Sequence, residues 1–133
     1  MARRIPGVIA GLIVWFVVIS AAGVVLRAAW PDYVSASPTM AFTLPMKLTR
    51  LSIGAVATIA AGIVTAILAR SSAAVSITGV LLLLFFIPEH ISLWDKFPIW
   101  YHLTFLGSLI PLTVGGGRLV RVRGRDASLA ARN

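Results

Sequence analysis

Four apolar stretches occupy most of this chain, at residues 5–29, 51–69, 73–88 and 97–114, and most of its charge lies between or beyond them. An α-helix rises about 1.5 Å per residue and a bilayer core is about 30 Å thick, so about 20 apolar residues cross it. The first stretch reaches that length with room for tilt, and the second is long enough. The third and fourth need flanking residues to complete a crossing. With those flanks the spans are read as 5–29, 44–69, 73–92 and 97–116, followed by a basic tail at 117–133. The fold class that follows is an all-α membrane protein, one four-helix transmembrane bundle forming a single domain.

Composition agrees. The chain is 59% hydrophobic and 12% charged, with a mean hydropathy of +0.95, whereas soluble domains are about half apolar and a quarter charged. Cysteine is absent, which excludes disulfides, thiolate metal sites and cysteine nucleophiles. The net charge of +8 does not point to nucleic acid, because the arginines flank spans and build no folded basic face. It reads instead as an orientation signal and as an attraction of the arginine-rich C-terminal tail to anionic lipid. Arg3 and Arg4 before an apolar run resemble a secretory signal, but the run exceeds the about 7–15 residues of a signal core. The first stretch is therefore read as a retained helix.

Four spans place both termini on one side. That side holds Arg3, Arg4, Arg70, Arg118, Arg121, Arg123, Arg125 and Arg132, against Arg27, Lys47, Arg50 and Lys96 on the other. Basic residues concentrate on the cytoplasmic side, so both termini are expected there. Asp32, Glu89 and Asp95 fall on the outer side and Asp126 on the inner. Trp30, Tyr33, Trp94, Trp100 and Tyr101 gather near the outer ends of the spans, where an amphipathic ring suits the interface. Trp15 alone sits mid-span.

The connections carry local signals. Ser37-Pro38 reads as a helix start in the outer loop, and Thr43 with Pro45 just inside reads as a second. The Arg70-Ser71-Ser72 connection makes the second and third spans an antiparallel hairpin. Asp95 and Pro98 open the fourth span, Pro111 should kink it or be accommodated by a neighbour, and Gly115-Gly116-Gly117 reads as its end. Small residues mark packing faces: Gly54, Thr58, Gly62 and Ala66 on the second span, Gly7 and Gly11 on the first, Gly107, Pro111 and Gly115 on the fourth. Such residues let helix backbones approach in lipid, and close packing within one chain is the reading they support best.

One cluster carries polar chemistry. Lys47, Arg50, Glu89, His90, Asp95, Trp100, Tyr101 and His102 all fall near the outer ends of the spans and form the candidate binding site, with Asp32, Tyr33 and Lys96 close by. Arg50 projects along the small-residue face of the second span, and Glu89 ends the next helix at similar depth, so the two are expected to pair. An ionisable group inside a span, such as His102, is a functional candidate by default. No metal or other cofactor is implied, because Glu89, His90 and His102 lack diagnostic ligand spacing. No G-x-S-x-G elbow accompanies the histidines, and the glycine triplet lacks a P-loop lysine, so no catalytic residue is assigned.

The segment Leu93-Trp94-Asp95-Lys96-Phe97-Pro98-Ile99-Trp100-Tyr101-His102-Leu103-Thr104-Phe105-Leu106, with Pro111-Leu112-Thr113, Ala41-Phe42-Thr43, and Arg3-Arg4 before Gly11 and Trp15, resembles a group of uncharacterised small four-span bacterial inner-membrane proteins. The resemblance implies the same architecture and a multi-pass place in a bacterial inner (plasma) membrane; it brings no activity. The layout also resembles small multidrug transporters, but their first-span glutamate has no equivalent between residues 5 and 29. Two functional classes follow, with a membrane enzyme whose site is the outer polar cluster as a third. One is a non-catalytic accessory or interaction subunit, with a protein partner or a second copy of itself. The other is an oligomeric channel or transporter for a small solute or anion that uses the outer polar cluster.

Overall fold

The computed structural model describes residues 3–131, apart from the side chains at 122–127 and 129. Its helices are α1 (Arg4–Ala29), α2 (Pro31–Ala36), α3 (Leu44–Ala69), α4 (Ser72–Ser92) and α5 (Ile99–Ala130), with no strand among the described residues. The four long helices are long and apolar enough to cross a membrane. For the first three spans the expected limits agree with the helices to within one residue. The expected inner positions of the Arg123, Arg125, Asp126 and Arg132 side chains lie outside the described residues.

The fourth span differs. The glycine triplet does not end it, and α5 continues to Ala130, with the stretch Ile99–Arg121 apolar enough to cross. None of the three glycines has a positive φ, so none caps a helix in the left-handed conformation that ends many helices. Gly116 and Gly117 are contact points instead: a Cβ at the first would overlap the Ile59 carbonyl, and one at the second would press on Val75. Pro111 lies within the continuous helix. The short helix α2 also begins elsewhere than Ser37-Pro38. Pro31 supplies its first turn, where a missing N–H costs nothing, and Ser37 falls at its other end, donating its hydroxyl to the Tyr33 carbonyl at 2.7 Å. Thr43 and Pro45 do open α3, although the Thr43 side chain makes no capping bond.

The α3–α4 hairpin is closed by two residues. Arg70 adopts φ 50°, ψ 33°, and Ser71 caps α4 by accepting from the Ala74 N–H at 3.4 Å. Helix α3 is the hub, packed along α1 and α5 and, less extensively, α4. Its small residues allow this. A Cβ at Gly62 would overlap the Thr113 backbone of α5, and one at Gly11 of α1 would overlap the Thr65 hydroxyl. Ala57 and Ala61 are fully buried. On α5 the packed face is Leu109, Thr113 and Gly116, not the expected Gly107, Pro111 and Gly115, which are all exposed.

The indole and threonine hydroxyls between these helices are paired, as a poor solvent demands. The Trp15 indole N–H donates to the Thr58 hydroxyl at 3.0 Å, which donates to the Gly54 carbonyl at 2.7 Å. Thr65 and Thr78 share a hydrogen bond of 3.1 Å between α3 and α4. The first contact ties α1 to α3 and forms a floor above which the bundle opens.

Candidate functional site

The α4–α5 connection folds back in six residues. Backbone bonds from Leu93 N–H to the Glu89 carbonyl and from Lys96 N–H to the Leu93 carbonyl tighten it. His90, near the end of α4, is thereby set opposite His102, in the first turn of α5. Their Nδ1 atoms are 2.7 Å apart. One imidazole must donate and the other accept, so the neutral rings adopt opposite tautomers. The pair is walled by aromatic rings: Phe105 stacks on His90 at 4.8 Å and Trp94 on His102 at 4.8 Å. His102 is 1% exposed, and its Nε2 has no hydrogen-bond partner among the described residues.

Facing this pair from α3 is Arg50. Its Nη1 donates to the Tyr33 hydroxyl at 2.5 Å and its Nε to the Tyr101 hydroxyl at 3.4 Å. The Phe42 ring centre lies 4.9 Å from the guanidinium carbon, a cation–π distance. Tyr33, Phe42, Met46, Phe97 and Tyr101 are all buried together around it. The short helix α2 exists in this architecture to bring Tyr33 into that cluster.

Between these groups is a cavity of about 340 Å³, within the size range of small-molecule sites. Tyr33, Arg50, Glu89, His90, Tyr101 and His102 line its polar end; Trp15, Phe16, Ile19, Phe85, Phe86 and Phe105 line its apolar part. On α1 the lining runs from Leu26 down to Trp15, about 17 Å along the helix axis. Phe16 of α1 and Phe85 of α4 meet edge-to-face at 5.4 Å. Both line the cavity and both are exposed on the bundle's outer surface, at 42% and 54%. The α1–α4 wall is therefore one aromatic layer thick at that point.

Of the eight candidate residues, Arg50, Glu89, His90, Tyr101 and His102 share this cavity. Lys47 is half-buried one turn before Arg50, Asp95 is exposed in the connection, and Trp100 is exposed with its ring edge-on to Tyr101; none of the three is among the lining residues. The expected Arg50–Glu89 pair is not formed. The guanidinium turns to the two tyrosine hydroxyls and the Phe42 face, while Glu89 is exposed. Sequence reasoning placed Tyr33 in the belt of interfacial rings and did not assign Trp15, Phe42 or Phe105 to the site. The signal for Trp15 was present: a lone indole in mid-span needs a partner for its N–H. Comparison with protein-family models, curated proteins and solved structures gives no match for this chain.

Proposed function

We propose that this chain is a non-catalytic subunit of a bacterial inner membrane, crossing it four times with both termini in the cytoplasm, and that its outer half holds a small amphipathic molecule. The observation that carries the reading is the cavity itself: polar at the end near the connections, aromatic for the rest of its depth, and separated from the bundle's surface by the Phe16–Phe85 contact. An amphiphile in a bilayer has that same polarity along its length. The excess of arginine at the opposite end supports the orientation, and the resemblance in the Leu93–Leu106 segment supports the bacterial membrane. Close backbone contacts at Gly62 and Gly116 fill the bundle below the Trp15 floor, which favours holding over conduction.

Gly23 supplies the test. It lines the cavity, and a Cβ there would meet nothing within 4 Å. Gly23→Leu should therefore fold and fill the space. Native mass spectrometry of the protein from a mild detergent should show a one-to-one amphiphile adduct on the wild type and none on Gly23→Leu. An adduct retained equally by both would reject the cavity as the binding place.

A further inference from the structure

We propose that Arg50, Tyr33 and Tyr101 form a binding site for an acidic head group, a carboxylate or a phosphate, carried on a hydrocarbon chain. The inference rests on the cavity being an amphiphile site and adds what the head must be.

Arg50 carries five N–H donors. Two are directed at the hydroxyl oxygens of Tyr33 and Tyr101, and Nη2 makes no hydrogen bond among the described residues. Each tyrosine oxygen that accepts from Arg50 keeps its own O–H, and neither O–H has an acceptor among the described residues. The guanidinium thus polarises two hydroxyls whose hydrogens are free to donate. Arg50, Tyr33 and Tyr101 all line the cavity, so Nη2 and these two hydroxyls are three donor groups beside it, with a positive charge behind them.

No ion pair forms to Arg50 among the described residues. Glu89 lines the same cavity but stands exposed and apart. An ionised group at this depth is costly without a partner, and Phe42 covers one ring face's worth of the guanidinium without neutralising it. A cationic head would be repelled here, and a neutral head would leave the charge uncompensated. An oxyanion satisfies the charge and all three donors, and charge-assisted bonds of this kind are the stronger class. Below the head, Trp15, Phe86 and Phe105 accept an apolar chain.

Fatty acids and phospholipids both offer this chemistry, and one titration separates them. The full-length protein is purified in digitonin, which has no alkyl tail to compete, and titrated with dodecanoate, dodecyl phosphate and dodecanol. At least one anion should bind about tenfold more tightly than dodecanol, equivalent to about 1.4 kcal/mol. Arg50→Gln should bring the anions down to the level at which it binds dodecanol. Should that variant not fold, Tyr33→Phe should weaken the anions several-fold more than it weakens dodecanol. Tighter dodecanoate identifies a free fatty acid as the preferred source, and tighter dodecyl phosphate identifies a phospholipid head; either supports the site. Equal binding of dodecanol and both anions by the wild type overturns the head-group inference while leaving the cavity reading intact. An anion preference that survives in both variants overturns the assignment to Arg50 and the tyrosines. Failure of all three probes to bind rejects the cavity reading on which the inference stands.

Discussion

Gly62→Ala and Gly107→Ala add the same methyl group to two helices of one bundle and should have opposite consequences. A Cβ at Gly62 of α3 would overlap the carbonyl oxygen of Thr113 on α5 and crowd its carbonyl and α carbons. The obstacle is backbone, so no side-chain rotation relieves it, and the α3–α5 interface must move apart. Overpacking of this kind costs about 1–3 kcal/mol. At Gly107 of α5 the same atom would meet nothing within 4 Å. Replacing glycine by alanine inside a helix gains up to about 1 kcal/mol in either case, so the difference between the variants isolates the steric cost. Gly62→Ala should be less stable than Gly107→Ala by about 1–3 kcal/mol, and Gly62→Leu should be worse than Gly62→Ala. Reversible unfolding in mixed micelles, followed by tryptophan fluorescence, gives the midpoints. Equal midpoints for the two alanine variants would refute the close approach of α3 to α5 and with it the packing that shapes the cavity.

Three further outcomes are expected. In double-mutant cycles, Arg50→Ala and Glu89→Ala should add to within about 0.5 kcal/mol, whereas Arg50→Ala and Tyr33→Phe should couple by about 0.5–3 kcal/mol; the reverse pattern would restore the ion pair. His90→Phe should destabilise by about 1–3 kcal/mol because it strands the His102 Nδ1, and adding His102→Phe should recover part of the loss; a second loss of full size would mean the rings do not share a proton. Reporter fusions after Asn133 and within residues 35–39 should report opposite sides of the membrane, with the C-terminal fusion cytoplasmic; an external C-terminus would invert the orientation.

The long helices were legible because span length depends on summed hydropathy, which tolerates local exceptions. The end of α5 was not, because three consecutive glycines signal a stop only when nothing needs the space. Here Ile59 and Val75 occupy the volume that side chains at Gly116 and Gly117 would fill. Depth along the chain puts Arg50, Glu89, His90, Tyr101 and His102 at similar levels, and the structure sets all five around one cavity. Partner choice was less accessible. Arg50 and Glu89 share a level, but their pairing depends on rotation about the helix axes and on α2, a six-residue helix too short to show a periodic pattern. That helix inserts Tyr33 where a carboxylate was expected. The Trp15–Thr58 bond was half visible, since the indole announced a need that only the packed helices could identify as threonine.

An amphiphile in the cavity should lie with its acidic head at Arg50 and its chain reaching toward Trp15. Bromine quenches indole fluorescence on close contact, so its position on the ligand reads the orientation directly. Dodecanoate brominated at carbon 12 should quench the wild-type protein saturably and leave Trp15→Phe much less affected, while dodecanoate brominated at carbon 2 should spare Trp15. Quenching of Trp15 by the carbon-2 probe in place of the carbon-12 probe, or by neither, would rule out an amphiphile seated in this way.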